Sequence, residues 1–177
     1  MIQYLLGDTL KILETTTPAR ELRSGRTIIV NTVGTSMQPL LYENETQVVV
    51  APLQRPPKKG DMLLYESRTG EPVLHRVTSV SENAVTLRGD HELLSETVPH
   101  ERIAGLATEV FRHGRHYSTD GWEMRAYAAA VAGSFPLRKG VRTLMHKIAA
   151  ALPQPIANAA RAALRALRRK TGRDLFL

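Results

Sequence analysis

Met62-Leu63-Leu64-Tyr65-Glu66-Ser67-Arg68-Thr69-Gly70-Glu71-Pro72-Val73-Leu74-His75-Arg76-Val77-Thr78-Ser79-Val80 reads as two strands folded back on each other. The apolar run 62–65 stops at a polar stretch, and Gly70 within Arg68–Glu71 supplies a residue that accepts positive φ at a hairpin turn. The run from Val73 to Val80 is rich in β-branched residues, which fit a pleated, half-buried surface. Working outward, the same punctuation recurs. Ser81-Glu82-Asn83 is a second turn before Ala84–Leu87, Thr27–Val33 and Thr46–Val50 lie upstream, and Ile103–Phe111 lies downstream. Six short strands separated by turns predict a compact, mainly β, antiparallel domain over residues 26–117.

Both ends of the chain have a different texture. Over residues 1–25, Asp8 is placed to cap a helix through Glu14, and Leu10, Leu13 and, after a break near Pro18, Leu22 make a short apolar stripe. This predicts a helical lead-in packed on the core. Over 118–177, Asp120 and Glu123 have capping-box spacing for a helix from Trp122 to Ala132, ended by Gly133. A second helix is expected from Leu137 to Leu152 and a third from Pro155 to Lys170. In the third, Ile156, Ala160, Ala163, Leu164 and Leu167 share one face, and Arg161, Arg165, Arg168 and Arg169 surround the other. The fold class is therefore a β domain with a short N-terminal helix and a basic helical C-terminal extension.

The chain has 177 residues, enough for one domain of common size plus appendages. It contains no cysteine, which excludes disulfides, thiol catalysis and cysteine-ligated metals and fits a reducing compartment. The first eight residues lack the basic n-region and long apolar run of a secretory signal, and no segment approaches the roughly 20 apolar residues of a membrane span. Charge is segregated. Residues 1–123 hold 13 Lys or Arg against 16 Asp or Glu, whereas residues 124–177 hold 11 against 1. A basic amphipathic tail of this kind suits an anionic membrane surface, which makes the expected location cytoplasmic with peripheral membrane contact through the C-terminal helices. Few aromatics and no recognition-helix motif argue against a nucleic-acid partner.

Three fragments carry chemistry: Gly34-Thr35-Ser36-Met37-Gln38-Pro39, Leu74-His75-Arg76-Val77 and Arg88-Gly89-Asp90-His91-Glu92. Taken singly, each has a plain structural reading: Ser36 as a turn serine, His75 as a core histidine between Val73 and Val77, and Gly-Asp as a hairpin turn. Together they supply a nucleophile, a base and an acid. A serine hydroxyl needs a neighbouring base to take its proton, and burial among apolar residues keeps an imidazole neutral near pH 7. Gly34 would allow a substrate carbonyl close approach, and the Ser36 amide could help to hold an oxyanion. His91 is the competing base. The six histidines, His113 and His116 included, form no His-Glu-x-x-His pair, and no Gly-rich phosphate loop is present, so neither metal nor cofactor is expected.

These residues resemble the signal-peptidase and LexA-like clan of serine peptidases. Ser36-Met37-Gln38-Pro39 matches the clan's Ser-Met-x-Pro nucleophile segment. Gly60-Asp61 before Met62–Tyr65 matches its Gly-Asp strand opening, His75-Arg76-Val77 its base followed by Arg, and Gly89-Asp90 its downstream acid. A histidine base is similar to the endoplasmic-reticulum-type branch, which has a further acid six positions after that Asp, here Glu96. His91 stands where the clan usually has Asn, the Gly-Asp expected near Asn44-Glu45 is missing, and no membrane anchor precedes the Ser motif. The resemblance covers roughly residues 27–110. It implies a serine endopeptidase acting on a precursor or leader peptide, with Ser36 as nucleophile, His75 as base, Asp90 or Glu96 orienting it, and Gly34, Thr35, Met37 and Pro39 against the substrate. Asp90 is favoured over Glu96. The alternatives are a LexA-like regulator that binds nucleic acid through the tail, and a catalytically silent β-fold binding module.

Overall fold

A computed structural model of the chain describes residues 4–5 and 17–151. The helix expected over Asp8–Glu14 and the one expected over Pro155–Lys170 lie outside the described residues. The chain divides into two units, residues 1–132 and 133–177.

The first unit is built on an antiparallel sheet. In chain order, β1 is Tyr4–Leu5, α1 Pro18–Arg23, β2 Ile28–Asn31, β3 Thr46–Pro52, β4 Met62–Glu66, β5 Pro72–Val80, β6 Ala84–Arg88, β7 Glu96–Pro99, β8 Ile103–Arg112 and β9 Arg115–Ser118. The order across the sheet is β1-β2-β3-β8-β4-β5-β6-β7, with β9 folded back on β8. All six expected strands form within a residue or two of their sequence bounds. The three additional strands are short, and two of them owe their place to neighbours. β9 follows a two-residue turn in which His113 (φ 50°) and Gly114 (φ 72°) both have positive φ, the primed geometry that matches strand twist. Glu96 is strand-bound in β7, opposite Leu87 of β6.

The hairpin 62–80 forms as read, with Leu63 opposite His75 and Tyr65 opposite Val73. β4 lies between β8 and β5 and is buried on both faces. Met62 and Leu64 join a core with Leu22, Ile28, Val30, Met37, Leu41 and Val48, while Leu63 and Tyr65 join another with Val77, Val85, Leu87 and Val98. Strand alternation sends successive side chains to opposite faces, so one strand supplies both cores. At the next turn, Asn83 does not take a left-handed conformation. Instead Ser81 closes it, its amide and hydroxyl both donating to the Ala84 carbonyl, each at 2.9 Å.

The expected break at Pro18 is a helix start. Pro18 is the first residue of α1, where its missing N–H is no loss, and the Thr17 hydroxyl accepts the Arg20 amide at 3.3 Å. At the other end, the helix α2 runs without interruption from Trp122 to Ala151. This corrects two expectations. Gly133 does not end the helix, because it stays out of the left-handed region a C-cap requires, and Pro136 is carried inside. Asp120 is not the cap: the first helical bond runs from the Arg125 amide to the Gly121 carbonyl, and Asp120 accepts from Lys58 Nζ at 3.3 Å. Among the described residues, no helix is long and apolar enough to cross a membrane.

Candidate active site

Ser36 lies on the loop that leaves β2. Gly34 takes φ +86°, where an L side chain would be strained, and turns the chain, and three short-range bonds then close the loop: Gln38 amide to Thr35 carbonyl at 3.1 Å, and the Leu40 and Leu41 amides to the Met37 carbonyl at 3.1 and 3.0 Å. Met37 is buried and pins the loop to the core. The Gly-Asp segment after β6 supports it from the side. The His91 amide donates to the Ser36 carbonyl at 2.9 Å, and a Cβ added to Gly89 would stand 2.5 Å from that carbonyl oxygen and 3.0 Å from the Ser36 Cβ. Only glycine fits there without displacing the serine.

His75 is buried in β5, 8% exposed. Its Nδ1 lies 3.2 Å from the hydroxyl of Tyr65, which itself donates to Glu96 Oε2 at 2.7 Å. A phenol has one proton to give. Since it goes to Glu96, His75 Nδ1–H must be the donor to Tyr65, and Nε2 keeps its lone pair. Burial pushes the imidazole below its ordinary value near 6.5, against the pull of Glu92, Glu96 and Asp90. Burial, and then Glu96, raise the Tyr65 hydroxyl well above the usual phenol value, so its proton stays in place throughout the physiological range. The ring is thus a neutral imidazole with its basic nitrogen fixed.

Ser36 and His75 line one cleft of about 610 Å³. Gly34 and Met37 share its wall with Val30, Leu41, Leu64 and Leu74, and Glu92 joins them with Oε2 3.7 Å from His75 Nε2. That nitrogen therefore faces the cleft. Thr35 and Pro39 are not part of the lining, and Pro39 instead accepts from Arg112 at 2.8 Å.

The two candidate acids are differently employed. Asp90, 1% exposed, receives Arg76 through both oxygens, Nε to Oδ1 at 2.7 Å and Nη2 to Oδ2 at 2.8 Å. Arg76 follows His75 in β5 and points to the opposite face, so these two bonds reach the carboxylate from Arg76's side of the strand. Glu96 reaches the His75 ring through Tyr65. Tyr65 was not singled out from sequence, although a polar-tipped aromatic inside an otherwise apolar strand must find a hydrogen-bond partner when buried. The sequence does not mark Glu92 as a cleft residue, since only folding brings the Gly-Asp turn to β5. Gly60-Asp61 is structural: Asp61 accepts from both terminal guanidinium nitrogens of Arg55, Nη1 at 2.6 Å and Nη2 at 3.0 Å, and from the Lys58 amide at 2.9 Å.

Among the described residues, no group of three or more His, Asp or Glu is placed to hold a metal ion. Comparison of the chain with known protein families, with curated proteins and with solved structures found no match.

Proposed function

We propose that this chain is a serine endopeptidase of the signal-peptidase-like kind that cleaves a precursor or leader peptide by a Ser-His mechanism. The observation that carries the reading is that Ser36 lines the same cleft as a buried, neutral His75 whose Nδ1–H is tied back to Tyr65 and Glu96. Ser36 Oγ attacks the scissile carbonyl as His75 Nε2 takes its proton. The imidazolium is stabilised through Tyr65 by Glu96, and the proton then passes to the leaving amine as the tetrahedral adduct collapses to an acyl-enzyme. Water, deprotonated by the same nitrogen, releases the acid. Asp90 holds Arg76 and, through the Gly89–His91 turn, the back of the nucleophile loop.

The edge of β5 favours a peptide as substrate. β6 pairs with β5 only from Arg76 onward, so among the described residues Pro72–His75 has a strand partner on the β4 side alone. An extended chain can add there by backbone hydrogen bonding. The same proposal includes a peripheral membrane contact. Leu137, Val141 and Leu144 recur at helical spacing on α2, 71%, 42% and 58% exposed, and no Asp or Glu occurs between Met124 and Ala151.

The test is cleavage of a peptide library by wild type, Ser36→Ala and His75→Ala, with labelling by a serine-directed acylating probe. Each single variant should lose cleavage and labelling, and the double variant should be little worse than either, since members of one catalytic unit are not additive. Activity retained in Ser36→Ala would refute the reading, and a wild type that neither cleaves nor takes the label would favour a silent β-fold module. Tight, salt-sensitive binding of duplex DNA without cleavage would favour a regulator.

A further inference from the structure

The wall of the cleft is largely apolar, and its formally charged side chains are two carboxylates, Glu71 and Glu92. Among the described residues, no Lys or Arg lines it. Glu71 is exposed at the turn between β4 and β5, immediately before Pro72, and takes one long bond from the Thr69 hydroxyl at 3.4 Å. Glu92 stands at the other end of the same strand segment. Its side chain is 43% exposed, and its 3.7 Å separation from His75 Nε2 is beyond a hydrogen bond to a ring that burial keeps neutral.

The spacing of the two carboxylates is set by the strand. Residues rise about 3.3 Å each along β5, so Glu71 lies roughly 13 Å from His75, the span of about four residues of extended peptide. A chain laid along Pro72–His75 would meet Glu92 beside the reacting bond, then an apolar wall, then Glu71. Carboxylates on a low-dielectric wall concentrate cations and repel anions.

We propose that the cleft selects cationic peptides, with one Lys or Arg held by Glu92 next to the scissile bond and a second held by Glu71 about four residues away across an apolar segment. This rests on the peptidase reading of the same cleft and adds the substrate's charge pattern to it.

The experiment uses internally quenched peptides of Ala, Leu and Val in which each position in turn carries Lys or its uncharged isostere norleucine. The Lys-to-norleucine ratio of kcat/KM is measured for the full-length wild type, Glu71→Gln and Glu92→Gln at low and high salt. Ratios within one enzyme cancel any effect of Glu92→Gln on the neighbouring base. Wild type should prefer Lys by about three- to tenfold at two positions, the preference should shrink with salt, and each Gln variant should lose it at one position only. Binding of the same peptides to Ser36→Ala reads recognition without chemistry. Cleavage with no Lys preference, or a preference that survives both Gln substitutions, would overturn the charge rule while leaving the peptidase standing. Lys-selective binding to Ser36→Ala, abolished by the Gln substitutions, in a protein whose wild type cleaves nothing would sustain the charge rule and remove the peptidase.

Discussion

At the scale of single residues, the decisive assignment is the tautomer of His75. Tyr65 has one proton and gives it to Glu96, so the imidazole must donate from Nδ1 and accept at Nε2. Tyr65→Phe would leave the Nδ1–H without an acceptor while keeping the ring that packs the core. It should lower kcat by about 10²-fold, the low end of what a positioned general base supplies, with little change in KM. Glu96→Gln tests the electrostatic part separately. Glu96 raises the imidazole against the dominant effect of burial, so its removal should shift the acid limb of the kcat/KM profile, already below 6.5, to still lower pH. A limb that moves upward would show that Glu96 does not act on His75.

At the scale of elements, β5 is fixed by a buried ion pair. Arg76 and Asp90 are 6% and 1% exposed, and the pair joins β5 to the turn after β6 that braces Ser36. Removing one partner strands the other charge in a dry site. Asp90→Ala should cost about 3–5 kcal/mol in denaturant unfolding, and adding Arg76→Ala should recover part of that loss. An Asp90→Ala protein as stable as wild type would contradict the clamp. α2 makes a different prediction. Its Leu137, Val141 and Leu144 face solvent on a helix whose charges between Met124 and Ala151 are all basic, so Leu137→Ser with Leu144→Ser should weaken salt-sensitive binding to anionic vesicles by about tenfold or more. Neutral vesicles should bind little in either protein. Equal binding of variant and wild type would exclude this face.

At the scale of the whole molecule, the depressed imidazole links the proposed activity to stability. A group whose folded pKa lies below its unfolded value near 6.5 is proton-free in the native state while the unfolded chain takes up a proton, so the folded state loses stability as pH falls through and below 6.5. Above 6.5 this contribution is fully present. Urea midpoints measured from pH 8 down to pH 5 should therefore fall, and His75→Gln, which cannot titrate, should flatten that part of the profile. A wild-type profile no steeper than the variant's would mean that the imidazole is solvated rather than buried.

The β class was legible in the chain itself, because period-2 patterning and turn residues are local properties: the runs at 62–65 and 73–80 around Gly70 needed no distant partner to be read. Ser36 and His75, which the fold brings to one cleft, stand out in the sequence for a related reason, since motif order survives in one dimension. The minor strands were not. β7 is too short and polar to announce itself, and it forms because Leu87 and its neighbours in β6 offer it an edge. The helix ends failed similarly, since Gly133 and Pro136 are local stop signals that a long helix can absorb. What only tertiary structure decided is the division of labour among the carboxylates. Asp90, one residue past the Gly-Asp glycine, goes to Arg76, whereas Glu96 reaches His75 by way of Tyr65 because β4 and β5 pair in a register that sets Leu63 opposite His75 and Tyr65 two residues along on the same face. Residue types and their order along a chain specify which chemistry is available. The register of strands, which depends on burying two cores at once, determines which acid meets which base.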